Sequence, residues 1–320
     1  MFELTDTTAS DIASALVQAR RKAGSPAMDM VMTLVVVTDE ASHYDAMRAA
    51  DEVSSEHPSR VIGLVRRSAR GPAQLNAQVS IGDTSQGESL LLRVSGELTR
   101  HAESVVLPLL LPDSPVVAWW PTDAPADPRA DAIGRLAQRR LTDAAAARGA
   151  KRKALLSAAE HYAPGDTDLS WTRLTPWRAL LAAALDQIDA PVLSGRVAAA
   201  RNNPSADLMC AWLQARLDVE IEAASSRGPG LTDVRLRTER GDIVVHRDEG
   251  MTGTFTIPGE ADRPVALNRR TVAECLAEDL RRLDEDEVYA QTVKHLLMRA
   301  ERTASRTDTG SKKRTRKTSA

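Results

Sequence analysis

The sequence predicts an α/β protein of two mixed domains, the first an open, mostly parallel sheet flanked by helices, the second a smaller mixed sheet with helices. Three observations carry that expectation. Residues 31–37, Val-Met-Thr-Leu-Val-Val-Val, are apolar or β-branched without interruption, the mark of a strand covered on both faces. From residue 31 to Trp120 the order is strand, helix, strand, two more strands, helix, strand, which fits an open α/β sheet with a mixed edge. The chain, at 320 residues, exceeds what one small core organises, and Ala163-Pro164-Gly165-Asp166 is a turn followed by a candidate helix cap at Asp168. The expected domains are therefore 1–162 and 163–298, with a tail over 299–320.

Residues 10–22 form the first expected helix, with Ile12, Leu16 and Ala19 on one stripe and basic residues at its C-terminal end, where the helix dipole favours them. Gly24-Ser25-Pro26 stops it. After the strand at 31–37, residues 41–56 read as a helix closed by His57-Pro58, because a residue before proline avoids helical backbone. Strands follow at 60–66, 75–81 and 90–94, a helix at 98–109, a short buried strand at 115–120 and a short helix at 130–138. Residues 135–153 carry seven basic residues against the single acid Asp143, which reads as a solvated helical face.

In the second half, residues 171–186 are helical, with Leu174, Trp177, Leu181 and Leu185 on one stripe and Arg173 and Arg178 off it. A strand at 192–198 and a helix at 205–217 lead into short strands at 219–223, 233–238, 242–246, 253–257 and 264–267. Closing helices are expected at 271–283, where Thr271 and Glu274 make a capping box, and at 286–298. Beyond Met298 the chain has eight Lys/Arg against two acids and no apolar pattern, so it is expected to be disordered and at best a non-specific clamp for nucleic acid or an acidic partner.

Overall charge is −2, from 42 basic and 44 acidic residues, which gives the whole molecule no bias towards nucleic acid. Its longest apolar runs, 31–37 and 179–185, fall well short of the roughly 20 residues a membrane span needs, and two cysteines fit a reducing compartment. A cytoplasmic protein is expected. Cys210 and Cys275 lie on expected amphipathic helices as buried thiols, or as a redox pair if their α-carbons approach within about 7 Å.

Familiar catalytic signatures are missing. No Gly-x-Gly-x-x-Gly follows a strand, and Gly228-Pro229-Gly230 lies in a loop. Nor does the chain contain a phosphate-binding Gly-x-x-x-x-Gly-Lys-Ser/Thr, a His-Glu-x-x-His, a Cys-x-x-Cys or a Gly-x-Ser-x-Gly. No catalytic residue, cofactor or metal site is therefore assigned. One enzymatic alternative remains, a sugar-phosphate hydrolase such as a 6-phosphogluconolactonase, with His161 and Asp166 as acid–base pair and the 135–153 run gripping phosphate. His161 could equally pack a turn.

Aromatics make up 3% of the chain, and Trp supplies five of them against three Tyr and two Phe. Trp119 and Trp120 end a strand, where loops of open α/β sheets form binding crevices. Trp171, Arg173 and Arg178 cluster at a helix start. Because Trp and Arg dominate protein–protein hot spots, the expected partner-binding residues are Trp119, Trp120, Trp171, Arg173, Arg178, Arg139 and Arg140. Packing offers a rival account: Trp177 shares the apolar stripe, and Trp171 could staple the helix entry.

Particular runs resemble one family closely. They include Leu34-Val-Val-Val-Thr38-Asp39-Glu40, Glu56-His57-Pro58-Ser-Arg60 and Leu109-Leu-Leu-Pro-Asp-Ser-Pro-Val-Val-Ala-Trp119-Trp120-Pro121. Further along come Gln138-Arg-Arg-Leu-Thr142-Asp143, Tyr162-Ala-Pro-Gly-Asp166-Thr-Asp168-Leu-Ser-Trp171, Pro204-Ser-Ala-Asp207-Leu and Cys275-Leu-Ala-Glu-Asp-Leu-Arg-Arg-Leu-Asp284. From about residue 8 to 290 the chain resembles the glucose-6-phosphate dehydrogenase assembly proteins of the OpcA type. That resemblance implies a non-catalytic partner of the dehydrogenase, promoting its oligomerisation and activity in the oxidative pentose phosphate pathway. It assigns no role to individual Trp or Arg residues, and the basic tail lies outside it.

Overall fold

The computed structural model describes residues 2–23, 30–81, 87–247 and 251–317. The Gly24-Ser25-Pro26 stop lies outside them. The chain divides into two compact α/β units: residues 1–150, 163–172 and 270–285 make the first, and residues 151–162, 173–269 and 286–320 the second.

Unit 1 begins with β1 (Phe2–Leu4), α1 (Ala9–Ala23), β2 (Met32–Thr38), α2 (His43–Val53) and β3 (Ser59–Arg66). It continues through β4 (Gln74–Ile81), β5 (Glu88–Ser95), α3 (Ala102–Val106), β6 (Val116–Trp120), β7 (Arg139–Thr142), β8 (Asp166–Asp168) and α5 (Leu169–Thr172), with α8 (Val272–Leu280) added from far along the chain. Its eight-stranded sheet has the order β1-β4-β5-β3-β2-β6-β7-β8. From β5 to β8 all neighbours are parallel; β4 runs antiparallel to β5, and β1 to β4. The winding leaves β2 towards β3 and β5, then returns to β6 and proceeds the other way. That reversal creates a topological switch point between β2 and β6.

Both sheet faces are covered. Ile12 and Leu16 of α1 and Val105 and Val106 of α3 pack on Val35, Ile62, Ala118 and Trp120. Ala46 and Ala50 of α2 and Leu276 and Leu280 of α8 pack on Leu34, Val36, Val117 and Trp119. The capping box foreseen at the start of α8 is present: Thr271 Oγ1 accepts the Glu274 amide at 3.1 Å, and Glu274 Oε2 accepts the Thr271 amide at 2.6 Å.

Two strands, β7 and β8, lie where the sequence reading had only a basic face and a turn. Of the expected helix at 98–109 only α3 and short 3₁₀ turns form, since Pro108 limits it, and residues 134–136 make a single 3₁₀ turn.

Unit 2 holds α4 (Lys151–Glu160), α6 (Thr175–Leu185), β9 (Val192–Ala199), α7 (Pro204–Leu217) and β10 (Ile221–Ser225). Then come β11 (Leu231–Thr238), β12 (Gly241–His246), β13 (Thr252–Thr256), β14 (Arg263–Ala266) and α9 (Glu287–Lys317). The six-stranded sheet runs β10-β9-β11-β12-β13-β14; β10 is parallel to β9 and every other pair is antiparallel. Helix α7 covers β9 and β10, and α9 and α4 pack on α7. Trp177 lies in this core with the Arg247 guanidinium 5.2 Å from its ring centre. The segment expected to lose structure at Arg299 continues as helix to Lys317. Ala300 and Glu301 are strong helix formers, and the packed turns before them have already met the nucleation cost.

Candidate functional site

The strand carrying Trp119 and Trp120 sends successive side chains to opposite faces. Because helices close both faces, neither indole reaches the surface: Trp119 is 1% and Trp120 2% exposed. Trp171 is likewise 1% exposed. These three are core residues, which corrects the expectation that they grip a partner. The Nε1 groups of Trp119 and Trp120 are buried without an acceptor among the described residues.

Arg139 and Arg140 are also interior, at 3% and 5% exposure, because the segment that looked like a solvated face is the strand β7. Arg139 donates to Asp279 Oδ1 at 3.0 Å and to the Asp284 carbonyl at 3.3 Å. Arg140 is bound to Asp166 and donates to the carbonyls of Ala137 at 2.8 Å and Pro164 at 2.5 Å. Burial of this order for guanidinium groups requires such pairing. Arg173 and Arg178 are half-buried at the entry to α6, and Arg178 donates to Thr175 Oγ1 at 3.0 Å. Of the seven proposed contact residues, these two alone keep surface.

The enzymatic alternative loses its acid–base pair. Asp166 is committed to Arg140 and to the Ala163 amide at 2.8 Å. His161 sits exposed after α4 with Nδ1 2.9 Å from the Ser157 carbonyl. Nearby Asp168, fully buried, accepts from Thr142 Oγ1 at 2.7 Å and from the amides of Ala144 and Ser170, both at 2.9 Å. That carboxylate ties β7, β8 and α5 together. Cys210 and Cys275 are free and buried, and burial pushes the Cys210 thiol up to about 12, away from thiolate chemistry.

What the sheet does present is the crevice at the carboxyl ends of β2, β3 and β6. In open α/β folds a ligand phosphate sits here against helix amides. In this chain the turn leading into α2 holds its own carboxylate: Asp39 Oδ1 accepts the amides of Ala41 and Ser42, both at 3.0 Å. Arg148 closes over it, 2.5 Å from Asp39 Oδ2, donating also to Ser42 Oγ at 2.6 Å and, through its amide, to Asp123 Oδ1 at 3.1 Å. Burial alone would raise the Asp39 pKa, but the hydrogen bonds from Arg148 and the backbone outweigh it, and the group is held below its ordinary value.

The other cations at this edge are matched in the same way. Arg66 grips Asp131 bidentately at 3.1 Å, while Arg67 and Arg93 share Glu40 at 2.8 and 3.3 Å. The result is a partly exposed lattice of paired charges. It offers no nucleophile held by a base; chemically it suits recognition of a complementary charged surface. Sequence reasoning missed this lattice, although Thr38-Asp39-Glu40 marked the place: an acid pair follows the central strand where a glycine-rich loop would otherwise stand. Among the described residues, no group of three His, Cys, Asp or Glu side chains could hold a metal ion. None of their helices is long and apolar enough to cross a membrane.

Two family models match in order along the chain. The one described as the N-terminal domain of a glucose-6-phosphate dehydrogenase subunit matches residues 50–160, and the one described as the C-terminal domain of that subunit matches residues 164–293. Together they cover well over half of the chain. The chain belongs to the OpcA family of glucose-6-phosphate dehydrogenase assembly proteins. Its OpcA-type domains meet in sequence between residues 160 and 164, whereas the compact units exchange residues 151–162, 163–172 and 270–285 across that point. No curated protein matches the chain.

Two solved structures align with this OpcA-family chain. A mutant of KijD10, a 3-ketoreductase from Actinomadura kijaniata in complex with TDP-benzene and NADP, is 10% identical, with a TM-score of 0.46 over 83% of this chain and 95% of that one. An oxidoreductase from Sinorhizobium meliloti is 11% identical, with a TM-score of 0.41 over 86% and 89%. At these scores neither likeness bears on function.

Proposed function

We propose that this chain is a non-catalytic assembly factor and activator of glucose-6-phosphate dehydrogenase, acting in the cytoplasm at the entry to the oxidative pentose phosphate pathway. The observation that carries the reading is the pair of family models matched across both halves of the chain. The crevice chemistry supports it. A dinucleotide phosphate would have to displace Asp39 from the two amides it caps, at a place already holding negative charge. A protein partner needs no such displacement, because it can meet the exposed carboxylates and guanidiniums as they stand.

Activation requires that the factor bind the competent form of the dehydrogenase more tightly than the inactive form. A difference of about 1.4 kcal/mol shifts that equilibrium tenfold. Arg173 and Arg178 remain proposed contact residues, as half-buried guanidiniums at a helix entry.

The test is a titration of the purified dehydrogenase with the purified chain, following activity and sedimentation together. The expected result is a rise in activity that tracks a rise in oligomer mass. Unchanged activity and mass at saturating chain, or turnover of phosphogluconolactone by the chain alone, would overturn the reading.

A further inference from the structure

Strand β10 ends the six-stranded sheet and, among the described residues, pairs only with β9. The Gly195 amide donates to the Glu220 carbonyl at 3.0 Å and the Ser226 amide to the Ala199 carbonyl at 2.8 Å. In a parallel ladder alternate residues turn to the same neighbour. Residues Glu220, Glu222, Ala224 and Ser226 therefore face β9, while the N–H and C=O groups of Ile221, Ala223 and Ser225 face outward. Among the described residues, these outward main-chain groups meet no partner in another element.

Sheet edges are usually blunted against strand addition by proline, bulges or inward charge. The opposite edge follows that rule, since β14 carries Arg263 and Pro264. Strand β10, Ile-Glu-Ala-Ala-Ser, contains neither proline nor lysine, and its pairing with β9 runs in register without a bulge.

A groove of about 720 Å³ runs along this edge. Residues 220–223 form one wall, and His295, Met298, Arg299 and Arg302 of α9 form the other. Met298 is 42% exposed, an apolar contact left open beside the unpaired backbone. Charge divides between the sides: Glu220 and Glu222 on the strand, Arg299 and Arg302 on the helix, with Arg152 and Asp207 at the base. Ile221 is buried on the face that α7 covers, so Glu222 points to the other face. A strand added here would present alternate side chains to the α9 arginines and the intervening ones beside Glu222.

We propose that this groove receives an extended segment of the dehydrogenase as an additional strand on β10, with acidic side chains towards Arg299 and Arg302 and basic ones beside Glu222. Main-chain hydrogen bonds to Ile221, Ala223 and Ser225 supply the grip, and the alternation of charge supplies register and selectivity. The identity of the partner rests on the assembly reading above; the groove and its free edge do not.

The experiment uses the full chain with the dehydrogenase. Ala223→Pro deletes one outward N–H while leaving the β9 ladder intact, as edge strands tolerate, and Arg302→Glu reverses the helix wall. Each variant is expected to weaken binding at least tenfold with thermal stability close to the parent's, and amide exchange at Ala223 and Ser225 of the parent should slow in the complex. Two variants that bind like the parent, or exchange at those amides as fast in the complex as outside it, would overturn the proposal. Should Ala223→Pro fail to fold, Arg302→Glu and the exchange measurement decide alone. Concentration-dependent self-association that Ala223→Pro abolishes, with dehydrogenase binding intact, would give the edge to a second copy of this chain and overturn the proposal. A parent chain that does not bind the dehydrogenase would overturn the assembly reading itself, a failure distinct from a groove that binding ignores.

Discussion

Unit 1 and unit 2 treat buried and half-buried charge in opposite ways. In unit 1 the buried guanidiniums have carboxylates: Arg60 shares Glu88 with the half-buried Arg20, Arg140 has Asp166 and Arg139 has Asp279. Even the open crevice is a closed set of pairs. In the groove of unit 2 the match is looser, with the half-buried Asp207 3.5 Å from the Arg152 Nε beside an edge whose backbone is unpaired. Interior charge satisfied inside its own unit serves the fold, whereas exposed pairs and unpaired backbone keep capacity for another chain.

The largest loss of stability is expected from Glu88→Gln. Glu88 accepts from Arg60 at 2.8 Å and from Arg20. Burial by itself would raise its pKa, yet the bonds and charges of the two arginines hold it below the ordinary value. Removing that charge leaves the Arg60 guanidinium buried and under-compensated, at an expected cost of about 3–5 kcal/mol by chemical denaturation. The same pairing fixes the pH dependence. With the folded value below the unfolded one, the stabilisation is complete above the unfolded value and disappears as pH falls through the folded value, below 4.5. A loss under about 1 kcal/mol would mean unit 1 does not depend on its interior charge pairs.

Next in size is Trp120→Ala, expected to cost about 3–5 kcal/mol as a core truncation. Trp119→Phe should cost much less than Trp119→Ala, since it keeps a ring and removes an N–H that has no acceptor among the described residues. Thermal melts of these variants separate a core role from a surface role: a variant that stays as stable as the parent yet loses the dehydrogenase would put the indoles back at the interface.

Asp207 behaves in the opposite sense. Burial raises its pKa, and the charges of Arg152 and Arg299 oppose that only in part. A folded value above the unfolded one means that folding favours the protonated carboxyl, so ionisation withdraws stability as pH climbs through the acid range. Asp207→Asn should therefore gain on the parent as pH rises past the ordinary carboxylate value of 3.8, the reverse of the Glu88 trend, in melts taken from acid to neutral pH. The smallest effect belongs to Arg148→Ala. With its side chain 48% exposed, the ion pair is worth about 0–1 kcal/mol and should fade further in high salt.

Much of the architecture was legible in the chain because its strands and helices carry unbroken periodic patterns. The all-apolar run before Thr38 became β2, and the capping box at Thr271 formed as read. What escaped depends on distant sequence. Arg139-Arg140-Leu141-Thr142 looks like a charged surface until Asp166 and Asp279 arrive to neutralise it. The two neighbouring indoles look half-exposed until α8, more than a hundred residues later, seals the face that Trp119 occupies. No local period encodes either event. For the candidate site, the acid pair after β2 could be read in place, but its partner Arg148 could not.

That late arrival of α8 has a consequence for synthesis. Unit 1 lacks both its outermost strand and half of one helical layer until residues 163–172 and 270–285 have left the ribosome. A polypeptide cut at residue 162 would keep Val117, Trp119 and Leu141 on a sheet face covered by α2 alone, ready to stick to chaperones or to its own kind. The nascent molecule must hold its first unit open while most of the second is translated, and only then close it.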